Sequence, residues 1–303
     1  MSGLLRCVGA LALWACLPAL AATTLAPRAA ATLDAIDDQG RTVSLAAPAR
    51  RILTLAPHAT EMVFAAGGAG RIIGTVEHSD YPAAARALPR VGDAWQIHPE
   101  TLLSLQPDLV VAWQPGPVTG LMPALVAAGI PVFYSAPERL DDIPANLEKL
   151  GVLMGTSHQA AHAADILRQR LSALQERYAR RRPISVFVQL GNNPLYTLTD
   201  SHIVGDALRI CGARNVVGHL GTPSPTVGIE SVILAAPDAI LSAHSTGSDD
   251  PRAAWTRYAP ALEAVRNGHV FVLDADALYR PGPRMLDATE QLCRLIDGVR
   301  NSQ

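Results

Sequence analysis

The order of apolar and polar positions divides the chain into repeated strand-then-helix units. Ile36 to Ser44, with Asp37, Asp38, Gln39 and Gly40 inside it, reads as a hairpin turn, and Arg51-Ile52-Leu53-Thr54-Leu55 as a buried strand. Pro57 to Ala66 predicts a helix, stopped by Gly67 and Gly68. The alternation continues with strand Ile72 to Val76, helix Pro99 to Leu105, strand Leu109 to Trp113, helix Val118 to Ala128 and strand Val132 to Tyr134. Short, continuous apolar strands separated by helices predict a parallel sheet covered on both faces. From Ile143 to Tyr178 a helical period is broken only at Gly151 and Gly155, which predicts one long helix over 157–180. Past Arg180-Arg181-Arg182-Pro183 the alternation restarts with strand Ile184 to Leu190, so a second lobe begins there.

The two halves carry a matching segment. Glu100, Pro107 and Asp108 recur as Glu230, Pro237 and Asp238, each displaced by 130 positions, and both segments predict a helix led by Glu, a Pro-Asp turn and a buried strand. The expected fold is therefore α/β, with two similar Rossmann-like lobes bridged by one long helix. The expected boundaries are a signal peptide at 1–21, a loose leader at 22–35, an N-terminal lobe at 36–150, a linking helix region at 151–182 and a C-terminal lobe at 183–303.

Composition fits a chain with a large core: of 303 residues 49% are hydrophobic and 17% charged. A net charge of -2 offers no field to attract a polyanion, which argues against nucleic-acid binding. Lys149 is the only lysine, so P-loop phosphate binding is excluded and Schiff-base chemistry disfavoured. Arg6, the short apolar run Val8 to Trp14 and the small-residue site Ala19-Leu20-Ala21 read as a secretory signal cut after Ala21; lipidation at Cys16 is the competing reading. Cys7 and Cys16 would leave with it. Cys211 and Cys293 then remain, and an even count in an oxidising compartment favours a disulfide over two buried thiols.

No G-x-S-x-G, H-E-x-x-H or C-x-x-C motif is present, and His158 and His162 read as a solvated helix face. Catalysis has no positive sign. The informative residues follow strands, where α/β folds place ligands: Glu77-His78-Ser79-Asp80-Tyr81-Pro82, then Trp95-Gln96 on a loop, Trp113-Gln114, Gly191-Asn192-Asn193, and Asp276 with Arg280.

At these positions a resemblance becomes visible. Ser79-Asp80-Tyr81-Pro82, Trp95-Gln96, Pro107 to Trp113, Phe187 to Pro194, Pro283-Arg284 and Gln291-Leu292-Cys293 resemble the periplasmic vitamin B12-binding proteins of ABC importers, within the long-helix, two-lobed substrate-binding proteins. The resemblance implies a ligand cleft between the lobes, a rigid bridging helix and a second-lobe disulfide at positions matching Cys211 and Cys293. It implies that Trp95 and Trp113 line the cleft and that Asp276 and Arg280 face them. His78 stands where the family has tyrosine, Leu190 where it has phenylalanine and Ser224 where it has tryptophan. Glu100 and Glu230 match the carboxylates that dock on permease arginines.

The first functional reading is a non-enzymatic, monomeric periplasmic carrier. It takes cobalamin as transported ligand, without a cofactor of its own, and delivers it to a permease dimer with a cytoplasmic ATPase. Trp95 and Trp113 would cover corrin faces, while Asn192, Asn193, Asp276 and Arg280 meet amide edges. The second keeps the carrier and changes the cargo to haem or a ferric siderophore, with His78 or Tyr81 on the iron; His78 could equally take cobalt. The third, a secreted hydrolase, lacks a nucleophile motif.

Overall fold

The computed structural model describes residues 32–93, 95–113, 118–244 and 250–302, without the Asn192 side chain. The segment expected as a signal, most of that expected as a leader, Cys7, Cys16 and Gln114 lie outside the described residues.

Strands β1 (Leu33–Ile36) and β2 (Thr42–Leu45) form an antiparallel hairpin. Asp37 closes its turn: the carboxylate accepts the amides of Gln39 and Arg41 at 2.9 Å and the Arg41 guanidinium at 2.8 Å. β1 starts inside the segment expected as leader, because Ala35 and Val43 bury their side chains in the main core. Strand structure is therefore present from Leu33, within the segment expected as leader. Asp38 fastens the hairpin to the first lobe through the Ala136 amide, the Asn146 amide group and Lys149, whose ammonium lies 3.0 Å away. The chain's single lysine is thus a structural clip.

The first sheet contains β3 (Ile52–Thr54), β4 (Ile72–Thr75), β5 (Leu109–Ala112) and β6 (Val132–Tyr134), in the order β4-β3-β5-β6 and parallel throughout. The second contains β7 (Ile184–Asn192), β8 (Leu195–Thr197), β9 (Ala213–Asn215), β10 (Ala239–His244) and β11 (Val270–Asp274). Here β7 lies between β9 and β10, with β11 outside β10, so the first, second, third and fourth parallel strands take the same places as in the first sheet. The departure is β8, which turns back antiparallel on the end of β7. Gly191, Asn192 and Asn193, expected just past the end of the strand, belong to this hairpin: β7 runs two residues past Leu190 through a register shift near Gly191.

The internal repeat has the same hydrogen bonds in both lobes. The amide of Asp108 donates to the Arg51 carbonyl and its carboxylate accepts the Arg51 amide, both at 2.9 Å. Asp238 does the same with Ser185, at 2.9 and 2.7 Å. Two residues before each Asp, Gln106 and Ala236 both take left-handed backbone, with φ of 47° and 41°. The helices that precede them, Pro99–Ser104 and Ile229–Ala235, end there because left-handed backbone and the following proline stop propagation.

The long helix is Ser157–Tyr178, 22 residues and about 33 Å. Ala160, Ala164, Leu167, Leu171, Leu174 and Tyr178 recur at spacings of three and four, which puts them on one buried stripe. Gly155, at φ 66°, ends the preceding helix Asp142–Met154 and lets the chain turn back along it. Where the two helices cross, a Cβ on Gly151 would strike Ala160 Cβ, so glycine permits the close approach. Arg168 grips Glu148 on the first-lobe side at 2.7 and 2.5 Å, and Arg170 grips Glu290 and Asp287 of the C-terminal helix Arg284–Ser302 at 2.7 and 2.5 Å. The stripe joins one continuous apolar core that holds Ile52, Leu109 and Phe133 of the first lobe and Ile184, Val188 and Leu241 of the second. Two smaller clusters cover the other faces of the two sheets. A disulfide between Cys211 and Cys293 (S–S 2.00 Å) ties the end of helix Ile203–Ile210 to the C-terminal helix.

A shared core makes a definite expectation for unfolding. Leu171→Ala should cost about 2–5 kcal/mol and leave a single urea transition when followed by far-UV circular dichroism and tryptophan fluorescence. Separate transitions for the two lobes would show that the stripe does not unite them.

Candidate functional site

The floor of the first lobe is built from hydroxyls. Thr54 at the end of β3, Thr75 at the end of β4, and Thr60 and Ser79 are buried and bonded to one another at 2.7–2.9 Å. Each hydroxyl has a partner within the group, so the network fixes the loop that leaves β4. On that loop His78 has φ 64°, an uncommon conformation for a residue with a Cβ, and is exposed.

Trp95 is held out by the loop beside it. Asp93 accepts the backbone amides of Trp95 and Gln96, both at 2.7 Å, and these bonds, Gln96 first, keep its carboxyl below the ordinary range. Gly92 (φ 137°) lies so close to the Gln96 carbonyl that no Cβ could fit. The indole is 89% exposed, so it fills no core. Trp113, at the end of β5, is 43% exposed and meets the His58 ring edge-on, with centroids 5.9 Å apart. His58 Nε2 lies 2.9 Å from the Ser135 carbonyl, which can only accept, so Nε2 carries the proton. Burial lowers the pKa of this histidine to about 4, against smaller opposing effects. His58 is therefore a neutral prop behind Trp113.

The second lobe presents a different surface. Leu190 is 42% exposed at the end of β7, Asn193 is exposed in the β7–β8 turn, and Ser224 is exposed on the loop before helix Ile229–Ala235. Tyr279 donates to the Gln189 carbonyl at 3.0 Å, and burial pushes its phenol above the ordinary range. Asp276 and Arg280, past the end of β11, pair at 2.7 Å.

The lobes touch through this last element. Arg280 Nη1 donates to the His78 carbonyl at 3.0 Å, the one hydrogen bond across the lobes between described residues nominated from the sequence. Four residues on, Arg284 forks onto Glu61 at 2.6 and 3.0 Å, and its guanidinium lies 4.4 Å from the centroid of the Tyr81 ring. Glu61 is buried, and burial raises its pKa despite the arginine. His78, Tyr81, Asp276 and Arg280 are thus brought together. Glu100 and Glu230 stand apart, exposed in the first turns of the two matching helices. Nothing in the sequence pattern marks His58, Glu61 or the threonines. Only Arg284 stood within a segment noted from the sequence, Pro283-Arg284.

The first lobe thus exposes two indoles, and the second brings an Asp–Arg pair against it at His78. A family model described as periplasmic binding protein matches residues 52–277. The chain belongs to this family. It is 38% identical over 249 residues to the vitamin B12-binding protein of Vibrio cholerae, which covers 82% of this chain and 90% of the relative. The solved structure of the periplasmic vitamin B12-binding protein BtuF of Vibrio cholerae superposes with a TM-score of 0.76 at 36% identity, covering 84% of this chain and 98% of that one. A periplasmic haem-binding protein from Pseudomonas aeruginosa superposes with a TM-score of 0.68 at 26% identity, over 82% and 92% of the two chains. Family membership agrees with the two-lobed fold and the bridging helix.

The buried histidines make a pH expectation. His58 and His202 are both lowered to about 4 by burial, against about 6.5 in the unfolded chain. Acid must protonate the unfolded state first. The stability they contribute is complete above about pH 6.5 and is lost as pH falls toward 4, by up to about 3 kcal/mol each. Urea unfolding at pH 7.5 and 4.5 measures this loss, and His58→Gln should remove part of it. A wild-type stability that stays level over that interval would contradict the neutral-prop assignment.

Proposed function

We propose that this protein is a non-catalytic carrier that captures cobalamin, or a related corrinoid, between its lobes and delivers it to an ABC importer. The observation that carries the reading is the exposed indole surface of Trp95 and Trp113 on one lobe, with the Asp276–Arg280 pair brought against that lobe at His78. Corrin faces are broad and apolar, and the ring is edged with amides. Indoles match the faces; carboxylate, guanidinium and the amide of Asn193 match the edges. Leu190, Ser224 and the Asn192 position would complete the second-lobe wall. Similarity to vitamin B12-binding proteins supports the same cargo.

Nanomolar affinity corresponds to about -12 kcal/mol. Burying one large apolar side chain supplies about 1.5–3 kcal/mol, so several contacts must add to exceed the cost of association. No cofactor of the protein's own is needed for this work. The chain would act as a monomer in the periplasm after removal of the signal at 1–21, and neither nucleic acid nor catalysis enters the reading. Haem or a ferric siderophore is the alternative cargo, with exposed His78 or Tyr81, whose ring lies against Arg284, on the iron.

The partner follows from the repeat. A permease dimer of identical subunits, driven by a cytoplasmic ATPase, offers a two-fold surface, and Glu100 and Glu230 offer one exposed carboxylate per lobe. Such pairs at a rim steer association and set register.

Protein incubated with cyanocobalamin, and separately with haemin, should keep the corrin spectrum after gel filtration and lose the haem spectrum. The reverse would transfer the cargo to haem. Trp95→Ala should weaken corrinoid binding by about tenfold or more with stability changed by less than about 0.5 kcal/mol, since the indole is exposed. Unchanged affinity in both Trp95→Ala and Trp113→Ala would remove these rings from the site.

Reversing both carboxylates, Glu100→Lys with Glu230→Lys, should leave corrinoid binding in solution intact and abolish transport stimulated by the carrier in proteoliposomes. Normal transport by the double variant would refute the docking assignment.

A further inference from the structure

Glu61 is out of place for a residue that serves only the fold. It lies within helix Pro57–Val63, is 3% exposed, and has its neighbours Met62 and Val63 fully buried. A buried ion pair gives little net stability compared with apolar side chains of the same volume. The apolar core is already continuous between the lobes beneath the bridging helix, so cohesion does not require a charge at this point.

What the pair does provide is direction. Arg284 reaches both carboxylate oxygens, at 2.6 and 3.0 Å, and a two-pronged bond fixes angle as well as distance. The face of the same guanidinium carries the Tyr81 ring, 4.4 Å away. Between Arg280 and Arg284 the backbone runs close along the helix: a Cβ on Gly282 would lie 3.4 Å from Glu61 Oε2 and 3.5 Å from His58 Cβ. Arg280 then reaches the His78 carbonyl at 3.0 Å. The segment 280–284 of the second lobe therefore clasps the first at two points, and each point bears on a residue assigned to the ligand, His78 at one and Tyr81 at the other.

We propose that Glu61 and Arg284 are positioning residues for the cleft: their ion pair sets the separation of the lobes at the mouth and holds Tyr81 and the Arg280–His78 contact where the ligand meets them. The role in ligand retention rests on the carrier reading; the role in holding the two lobes together does not.

Two measurements separate these. In ligand-free protein, hydrogen exchange in Glu61→Gln should rise about tenfold or more in peptides covering 78–81 and 280–286 and stay unchanged in the bridging helix. Arg284→Lys keeps the charge and loses the fork, so it should show the same local effect more mildly, which guards against a variant that fails to fold. In stopped-flow binding of cyanocobalamin, both variants should release ligand faster, with association nearly unchanged. Tyr81→Ala should match Glu61→Gln, and the double variant Tyr81→Ala with Glu61→Gln should be no worse than either, because they remove one shared device. Unchanged exchange at 78–81 and 280–286, or additive losses in the double variant, would overturn the proposal. If the wild type binds neither cyanocobalamin nor haemin, the carrier reading fails by itself and the exchange data still decide whether the pair fixes the lobes.

Discussion

Burial of one helix stripe governs the architecture. Ala160, Ala164, Leu167, Leu171, Leu174 and Tyr178 leave water together, in one core with apolar residues of both lobes. Small side chains at the start of the stripe admit helix Asp142–Met154 closely, and larger ones at its end meet the second lobe. Because close-packed interiors resist shear, lobes fused through such a core keep their relative position. Arg168 and Arg170 add one polar tie to each side. Lobes held this way leave side chains and loops at the strand ends as the parts free to differ.

Topology then decides where that surface lies. The same strand order occurs in both sheets, and in α/β structures the loops after the carboxyl ends of strands form the binding crevice. His78 follows β4, Trp113 follows β5, and Asp276 and Arg280 follow β11. The Arg280 bond to the His78 carbonyl shows that strand ends from opposite lobes meet. The uncommon backbone of His78 and the buried hydroxyl network beneath it are parts of one arrangement, in which the network fixes the turn and the turn offers its carbonyl to the other lobe.

Much of this was legible in the sequence, for reasons that also mark the limit. Strands such as Leu109–Ala112 and Val132–Tyr134 are continuous apolar runs, and the bridging helix is a three-and-four repeat bounded by Gly155, so local period alone reveals them. Trp95, on a loop, and Trp113, at a strand end, stand where a core residue is not expected, and both are exposed. The Glu61–Arg284 pair spans 223 positions and has no period; a glutamate inside an apolar helix reads as its solvent face until the second lobe covers it. His58 and the threonines are similar cases, since a polar residue at a strand end carries no mark of the partner that will bury it. Strand β8 was not legible, because Asn193-Pro194 marks the end of a strand and carries no sign of the antiparallel return that follows it.

The two lobes are alike where they repeat and unlike where they would hold ligand, and the contrast has a physical reason. The helix that starts at Glu, the left-handed residue and the Pro-Asp turn recur with the same hydrogen bonds, so Glu100 and Glu230 occupy matching places by construction of the backbone. At the strand ends the correspondence is lost: β3 leads directly to helix Pro57–Val63, whereas β7 turns back into β8 before helix Ile203–Ile210. A partner with two identical subunits rewards sameness, because each half of the contact is recognised by the same surface. A ligand with chemically different faces and edges rewards difference, because specificity comes from placing unlike groups around it. Divergence confined to the loops after β7 and β11 can therefore alter the cargo while the outer helices stay matched, and this separation is what a duplicated lobe makes available.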